Sequence, residues 1–299
     1  MNESSESRTA LVLGGGGSTG NAWSIGVVAG LSEAGLDVTR ADLIIGTSAG
    51  STTAAQITGA PMDELLALTL APPAQRAAPV GPGGAPAPRG PVPDQLDRMT
   101  RMIAESADAD EYRHRLCASA LERDAESDGA FTARWRSIVA PRLPEPDWPD
   151  RPMLVTAVNA RTAEGIVFDR ESGVELVDAM AASTSSGLPY WIGGTPYLDG
   201  GFRVNAENAD LAAGYDRVLV LSPFGGRSLV PADWGTHLST QLDALRAGGS
   251  TVETIFPEAE SEHLFGPNGM DLALRPAAAR AGHDQGRARA EQLAGWWRG

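Results

Sequence analysis

The segment Ala10-Leu11-Val12-Leu13-Gly14-Gly15-Gly16-Gly17-Ser18-Thr19-Gly20 decides the fold. Four apolar residues read as a short buried strand, four glycines as a loop, and the residues from Ser18 to about Ala34 as a helix. Strand, glycine loop and helix in that order open an α/β unit. Gly35 ends the helix, and the pattern repeats: Leu43-Ile44-Ile45 reads as a second buried strand running into Gly46-Thr47-Ser48-Ala49-Gly50, with a helix from Ser48 to about Thr58.

Outward from these units, Met62 to Leu70 reads as a helix behind Pro61, a residue tolerated at helix starts. Residues 71–93 hold eight prolines and four glycines, which predicts a flexible or polyproline linker. Asp94 to about Ala125 reads as helical, with Leu96, Met99 and Ile103 on a stripe, followed by a short helix from Phe131 to Val139. Together, residues 94–142 are expected to form an inserted helical cap, either covering a sheet face or facing substrate as a lid. Strands are expected at Met153–Val158, Gly165–Asp169, Arg217–Leu221 and Thr251–Phe256. Helices are expected at Val174–Ser183, Thr236–Ala247 and Pro276–Leu293, and Leu188–Gly201 reads as a proline-bordered loop. Strands alternating with helices across 1–299, with no internal repeat, predict a single α/β domain with a mostly parallel sheet covered on both faces.

Composition removes whole classes of chemistry. All 24 basic residues are arginine, so no Walker-A lysine, pyridoxal Schiff base, Ser-Lys dyad or kinase-type lysine exists. Against them stand 38 acidic residues, a net charge of −14 that opposes nucleic-acid binding and adsorption to anionic lipid. One cysteine, Cys117, permits no intrachain disulfide, and the four histidines show no metal-binding spacing, so neither metal nor cofactor is expected. The Met1–Thr9 stretch is polar, acidic at Glu3 and Glu6, and reads as a frayed tail lacking the features of a secretory signal. No apolar run approaches the ~20 residues that span a bilayer. A cytoplasmic protein with at most peripheral membrane contact is expected.

Two motifs carry chemistry. Gly46-Thr47-Ser48-Ala49-Gly50 is a G-x-S-x-G between strand and helix, where a sharp turn exposes the serine hydroxyl above the sheet and the glycines admit close backbone approach. A Gly-rich turn with a capping serine is the simpler reading. Gly15, Gly17 and Gly20 also satisfy the dinucleotide fingerprint G-x-G-x-x-G, but that fingerprint wants an acidic residue at the end of the second strand, where Gly46-Thr47-Ser48 stands; Asp42 lies at the wrong end. An oxyanion hole built from the glycine amides and facing Ser48 is the better reading. An ordinary α/β-hydrolase is excluded, because only one strand precedes the strand leading into Ser48 and no histidine sits in a distinctive loop. His114 and Cys117, three apart on a helix, are read as structural. For a base, Asp199 is the carboxylate in the most constrained backbone setting, followed by Gly200 and Gly201. Tyr190 and Trp191 are candidates for lining a pocket, as is Trp23, while Trp296 and Trp297 read as docking onto the protein's own surface.

A glycine loop after the first strand, G-x-S-x-G after the second and Asp199-Gly200-Gly201 downstream resemble the patatin-like phospholipases over about Leu11 to Ser222. Ala182 to Pro189 resembles the family's small-residue loop, and Asn208-Ala209-Asp210 its downstream turn. The resemblance implies a three-layer α/β/α fold and lipid acyl hydrolysis without histidine. It assigns Ser48 as nucleophile, Asp199 as its partner, Gly15, Gly16 and Gly17 as the oxyanion-hole backbone, and Gly46 and Gly50 as the flanks of the nucleophile turn. The partner so implied is a lipid or other acyl ester. An acyltransferase with the same serine and a catalytically silent binding protein are the alternatives. Many members carry Arg or Lys where Thr19 stands, and the missing cation predicts a preference for neutral esters over anionic phospholipids.

Overall fold

The computed structural model describes residues 7–72 and 92–298, which hold eight strands and nine α-helices. The strands are β1 (Thr9–Leu13), β2 (Leu43–Gly46), β3 (Met153–Asn159), β4 (Gly165–Phe168), β5 (Tyr190–Ile192), β6 (Thr195–Asp199), β7 (Arg217–Leu221) and β8 (Thr251–Ile255). The helices are α1 (Gly17–Glu33), α2 (Ala49–Gly59), α3 (Met62–Leu70), α4 (Val92–Ala104), α5 (Ala109–Ala125), α6 (Phe131–Val139), α7 (Leu176–Ser183), α8 (Leu238–Ala247) and α9 (Arg275–Arg298). Residues 1–6 of the expected Met1–Thr9 tail and most of the expected linker (73–91) lie outside the described residues, but the end of that tail is not frayed: Thr9 begins β1, and the Arg8 amide donates to Asp216 Oδ2 at 2.7 Å.

Alternation along the central strands sorts side chains into two cores. Leu11, Leu13, Ile44, Leu219 and Leu221 face α1, α2, α7 and α9, whereas Ala10, Val12, Ile45, Val218 and Val220 face Leu238, Leu242 and Leu245 of α8. At the β3–β6 end, α5 covers Val158 and Leu198 with Tyr112, Leu116, Cys117 and Ala120. The result is helix, sheet, helix in three layers. β1, β2, β3, β7 and β8 pair in parallel, with the order β5-β6-β3-β2-β1-β7-β8, and β4 joins β3 outside that path.

The register around β3 places the site. β2 pairs with Ile44↔Met153 to Gly46↔Val155, and β6 pairs antiparallel with Ala157↔Asp199 to Asn159↔Tyr197. β4 pairs with residues 155–158 of β3, overlapping both partners, so β2 and β6 must share the opposite edge. One strand ascends that edge and the other descends it, and their ends meet beside Thr156.

One further expectation is corrected and another refined. Leu188–Gly201 is not a loop: β5 and β6 form a hairpin joined by Gly193 and Gly194, with Ile192↔Thr195 closing the register. Both glycines have positive φ, 54° and 79°, which fits the two-residue turn that matches strand twist. The helical stretch expected over 94–125 is divided in two, because the Asp108 carboxylate accepts the Glu111 amide (2.8 Å) and caps a new start at Ala109. No described helix is long and apolar enough to cross a membrane.

Candidate active site

The β2–α2 turn is built by steric necessity. A Cβ on Gly46 would collide with Ser51 backbone, and one on Gly50 with the Leu13 carbonyl. Between them Ser48 takes φ 54°, ψ −119°, a conformation L residues rarely adopt. Its amide donates to Ser183 Oγ (3.0 Å), and its carbonyl accepts from Ser51 Oγ (2.6 Å). The small-residue segment before Asp199 therefore braces the serine turn from below.

Asp199 ends β6 opposite this turn. Its Oδ2 accepts the Ser48 hydroxyl at 2.7 Å, its Oδ1 accepts the Gly201 amide at 2.8 Å, and its own amide donates to the Ser185 carbonyl at 2.9 Å. Burial pushes the carboxyl up to about 6, and the Gly201 and Ser48 hydrogen bonds pull against that rise. Gly200 has no room for a Cβ, which would strike Thr156. Thr156 Oγ1 donates to Thr47 Oγ1 (3.0 Å), and Asn208 Nδ2 donates to Thr47 Oγ1 (3.0 Å) and the Gly200 carbonyl (2.9 Å). Thr47, Thr156 and Asn208 thus tie the serine turn to the aspartate turn through a buried network.

The glycine loop lies over the serine: a Cβ on Gly15 would stand 3.4 Å from Ser48 Cβ. Gly14 donates to the Leu221 carbonyl (2.9 Å) and Gly15 to the Ala206 carbonyl (2.8 Å). Among the described residues no acceptor meets the amides of Gly16 and Gly17, or that of Ala49 at the start of α2. Gly16 is pressed against Pro223, and Gly17, at φ 66°, against the Gly269 carbonyl. Beneath the loop, Glu207 is 2% exposed and accepts from Ser222 Oγ at 2.6 Å. Burial pushes this second carboxyl up to about 7.

The other sequence candidates fall elsewhere. Cys117 is buried on α5, its thiol pushed up to about 11 by burial, which suppresses the thiolate. His237 bonds the Val230 carbonyl (2.8 Å), His263 the Glu260 carbonyl (2.9 Å) and His283 the Glu33 carboxylate (2.7 Å). Trp23 is core, edge-on to Phe265 and bonded to Gln285 (3.2 Å), and Trp297 is buried. Tyr190 is buried with its hydroxyl on Asp178 (2.5 Å), while Trp191 lines a surface cavity with Phe131 and Thr132. No group of three or more potential ligands able to hold a metal occurs among the described residues. Ser51, Thr156 and Glu207 carry no motif in the sequence: Ser51 acts through a local bond to the Ser48 carbonyl, and Thr156 is brought to the serine turn by the sheet register.

A family model described as patatin-like phospholipase matches residues 11–212. Among solved structures, VipD from Legionella pneumophila is similar at 13% identity and a TM-score of 0.44, over 96% of this chain and 67% of that one. The type III effector protein ExoU is similar at 14% identity and a TM-score of 0.38, over 96% of this chain and 53% of the effector. No curated protein matches the sequence.

Proposed function

The chain belongs to the patatin-like phospholipase family, and from that premise we propose that it cleaves carboxylic esters of lipids through a Ser48–Asp199 dyad and an acyl-enzyme. The observation that carries this reading is the 2.7 Å hydrogen bond from Ser48 Oγ to Asp199 Oδ2, made by a serine held at positive φ. A carboxylate is a weak base for a hydroxyl, and burial narrows that gap by raising Asp199 to about 6 while leaving it ionised at neutral pH.

In the proposed cycle Ser48 Oγ attacks the ester carbonyl carbon as its proton passes to Asp199. The carbonyl oxygen, now negative, is received by the Gly16 and Gly17 amides at the positive end of α1. Collapse of the tetrahedral intermediate expels the alcohol, which takes the proton from Asp199, and Ser48 retains the acyl group. Water then attacks, giving its proton to Asp199, and the second collapse returns that proton to Ser48 and frees the fatty acid. Gly15, whose amide is engaged by Ala206, contributes the close approach of the loop. Residues 94–142 are proposed to cap the sheet face that carries Leu198; supporting this, a small cavity of about 20 Å³ lies between Met99 and Met102 of α4, Leu116 of α5, and Gly187, Leu198 and Phe202.

The test is labelling by a fluorophosphonate together with hydrolysis of p-nitrophenyl esters of rising chain length and of phospholipids. Wild-type protein is expected to be labelled at Ser48 and to release fatty acid. A Ser48→Ala variant that kept esterase activity would sink the reading, and products esterified to an added alcohol would replace hydrolysis by transfer.

A further inference from the structure

The glycine loop carries no charge of its own between Gly14 and Gly20, and Thr19 is fully buried with its amide donating to the Gly269 carbonyl at 3.0 Å. A cation reaches the loop from far along the chain. Nη1 of Arg275, the first residue of α9, donates to the Ser18 carbonyl (2.8 Å), Ser18 Oγ (3.2 Å) and Asn21 Oδ1 (3.0 Å). All three acceptors are neutral, and among the described residues Arg275 has no carboxylate partner. Burial and the charge of Arg142 both push its guanidinium down.

This is a costly arrangement. A partly buried cation stands at the N-terminus of α1, whose dipole is already positive there. In a chain with 38 acidic residues, the absence of a counter-charge at this point calls for a reason. Negative charge does arise nearby, but only during turnover, on the oxygen of the tetrahedral intermediate. The same bonds also hold the loop's shape: Arg275 grips one side of the Ser18–Thr19 peptide and Gly269 the other, just beyond the two unpartnered amides.

We propose that Arg275 is a positioning residue for the glycine loop: it fixes Ser18 so that the Gly16 and Gly17 amides stay turned toward Ser48, and it places behind them the positive charge the loop lacks. The inference rests on the Ser48 acyl-enzyme reading. It lies outside residues 11–212, the part that matches the family model, and makes the C-terminal segment a component of the site.

The experiment compares wild type with Arg275→Gln, Arg275→Lys and Arg275→Ala in the full chain, reading fluorophosphonate labelling rate, kcat and KM for a p-nitrophenyl ester, and melting temperature. Wild type labelled at Ser48 supports the underlying reading, and a wild type that does not react overturns that reading and this inference together. With wild type active, Arg275→Gln is expected to lower kcat by about ten- to a hundredfold, less than deletion of a direct oxyanion donor, with KM nearly unchanged. Arg275→Lys should recover most of the loss, and millimolar guanidinium should partly rescue Arg275→Ala. Folded Gln and Ala variants with wild-type kcat would overturn the proposal. So would a loss that neither lysine nor guanidinium repairs, since packing alone would then explain it. Should the Gln variant fail to melt cooperatively, the Lys variant and the rescued Ala variant decide.

Discussion

Ser48 is held at φ 54° by neighbours that permit nothing else, at a cost on the order of 1–3 kcal/mol for a residue with a Cβ. Two substitutions that both remove the hydroxyl should therefore differ in stability. Ser48→Gly relieves the strain and Ser48→Ala keeps it, so the glycine variant is expected to be the more stable in urea denaturation by about 1 kcal/mol, with a correspondingly higher midpoint, offset in part by its freer unfolded chain. Equal midpoints would show that the turn is not strained. Asp199 and Glu207 make the same point in charge. Each is a carboxyl raised by burial, to about 6 and about 7, so between pH 4 and 7 the folded chain holds more protons than the unfolded one. Stability from these two groups is thus fully present below pH 4 and lost as pH rises through 6 to 7. For Asp199 the loss is about 3 kcal/mol in order of magnitude. Asp199→Asn should abolish most turnover yet melt higher than wild type at pH 8, with the difference shrinking toward pH 4. The rate of the wild type should climb through about pH 6 and then level, as a base requires.

At the scale of elements, the site exists because β2 and β6 abut on one edge of β3, with Thr156 between their registers. Gly200→Ala forces a methyl into Thr156 and should separate the two ends, whereas Gly187→Ala, with open space around it, should be tolerated. A second close fit joins α1 to α9: Cβ atoms on Gly26, Gly30, Gly282 or Gly286 would strike backbone of the facing helix. Gly282→Ala is expected to cost at least 1–3 kcal/mol in chemical denaturation and, if α9 carries Arg275 to the loop, to lower kcat as well. These elements also show what the sequence could and could not tell. The G-x-S-x-G and Asp199-Gly200-Gly201 turns were legible because their geometry is local, each glycine being demanded by a neighbour a few residues or one strand away. The hairpin is hidden because Pro189, Gly193, Gly194 and Pro196 have loop composition, although Gly193-Gly194 between Tyr190-Trp191-Ile192 and Thr195 is also a two-residue turn signal. Asn208 lies in a recognisable motif, but its bond to Thr47 spans 161 positions and follows from the sheet order. Arg275 was invisible for the same reason, lying 257 positions from Ser18.

For the whole molecule, two fields of opposite sign matter at different ranges. The net charge of −14 repels an anionic surface at long range, while two helix N-termini and Arg275 put local positive charge behind the glycine loop and the serine turn at short range. Salt separates the two, because the screening length is about 10 Å at 0.1 M and falls to about 3 Å at 1 M. Long-range repulsion is removed first, and a partly buried guanidinium is screened least. Hydrolysis of an ester in anionic vesicles should therefore rise as salt is added, the reverse of what a basic surface-binding protein would show, and hydrolysis in neutral vesicles should change little. At low salt, neutral esters should be preferred over anionic phospholipids of the same acyl chain. The measurement is initial rate against sodium chloride concentration for matched neutral and anionic vesicles, with a water-soluble p-nitrophenyl ester to separate adsorption from turnover. A rate on anionic vesicles that fell with salt would place an attractive basic patch at the interface and refute the charge argument. If the preference for neutral head groups persisted when repulsion had been screened away, discrimination would lie within the site, and the Arg275→Gln variant, having lost a positive charge there, would be expected to show it more strongly.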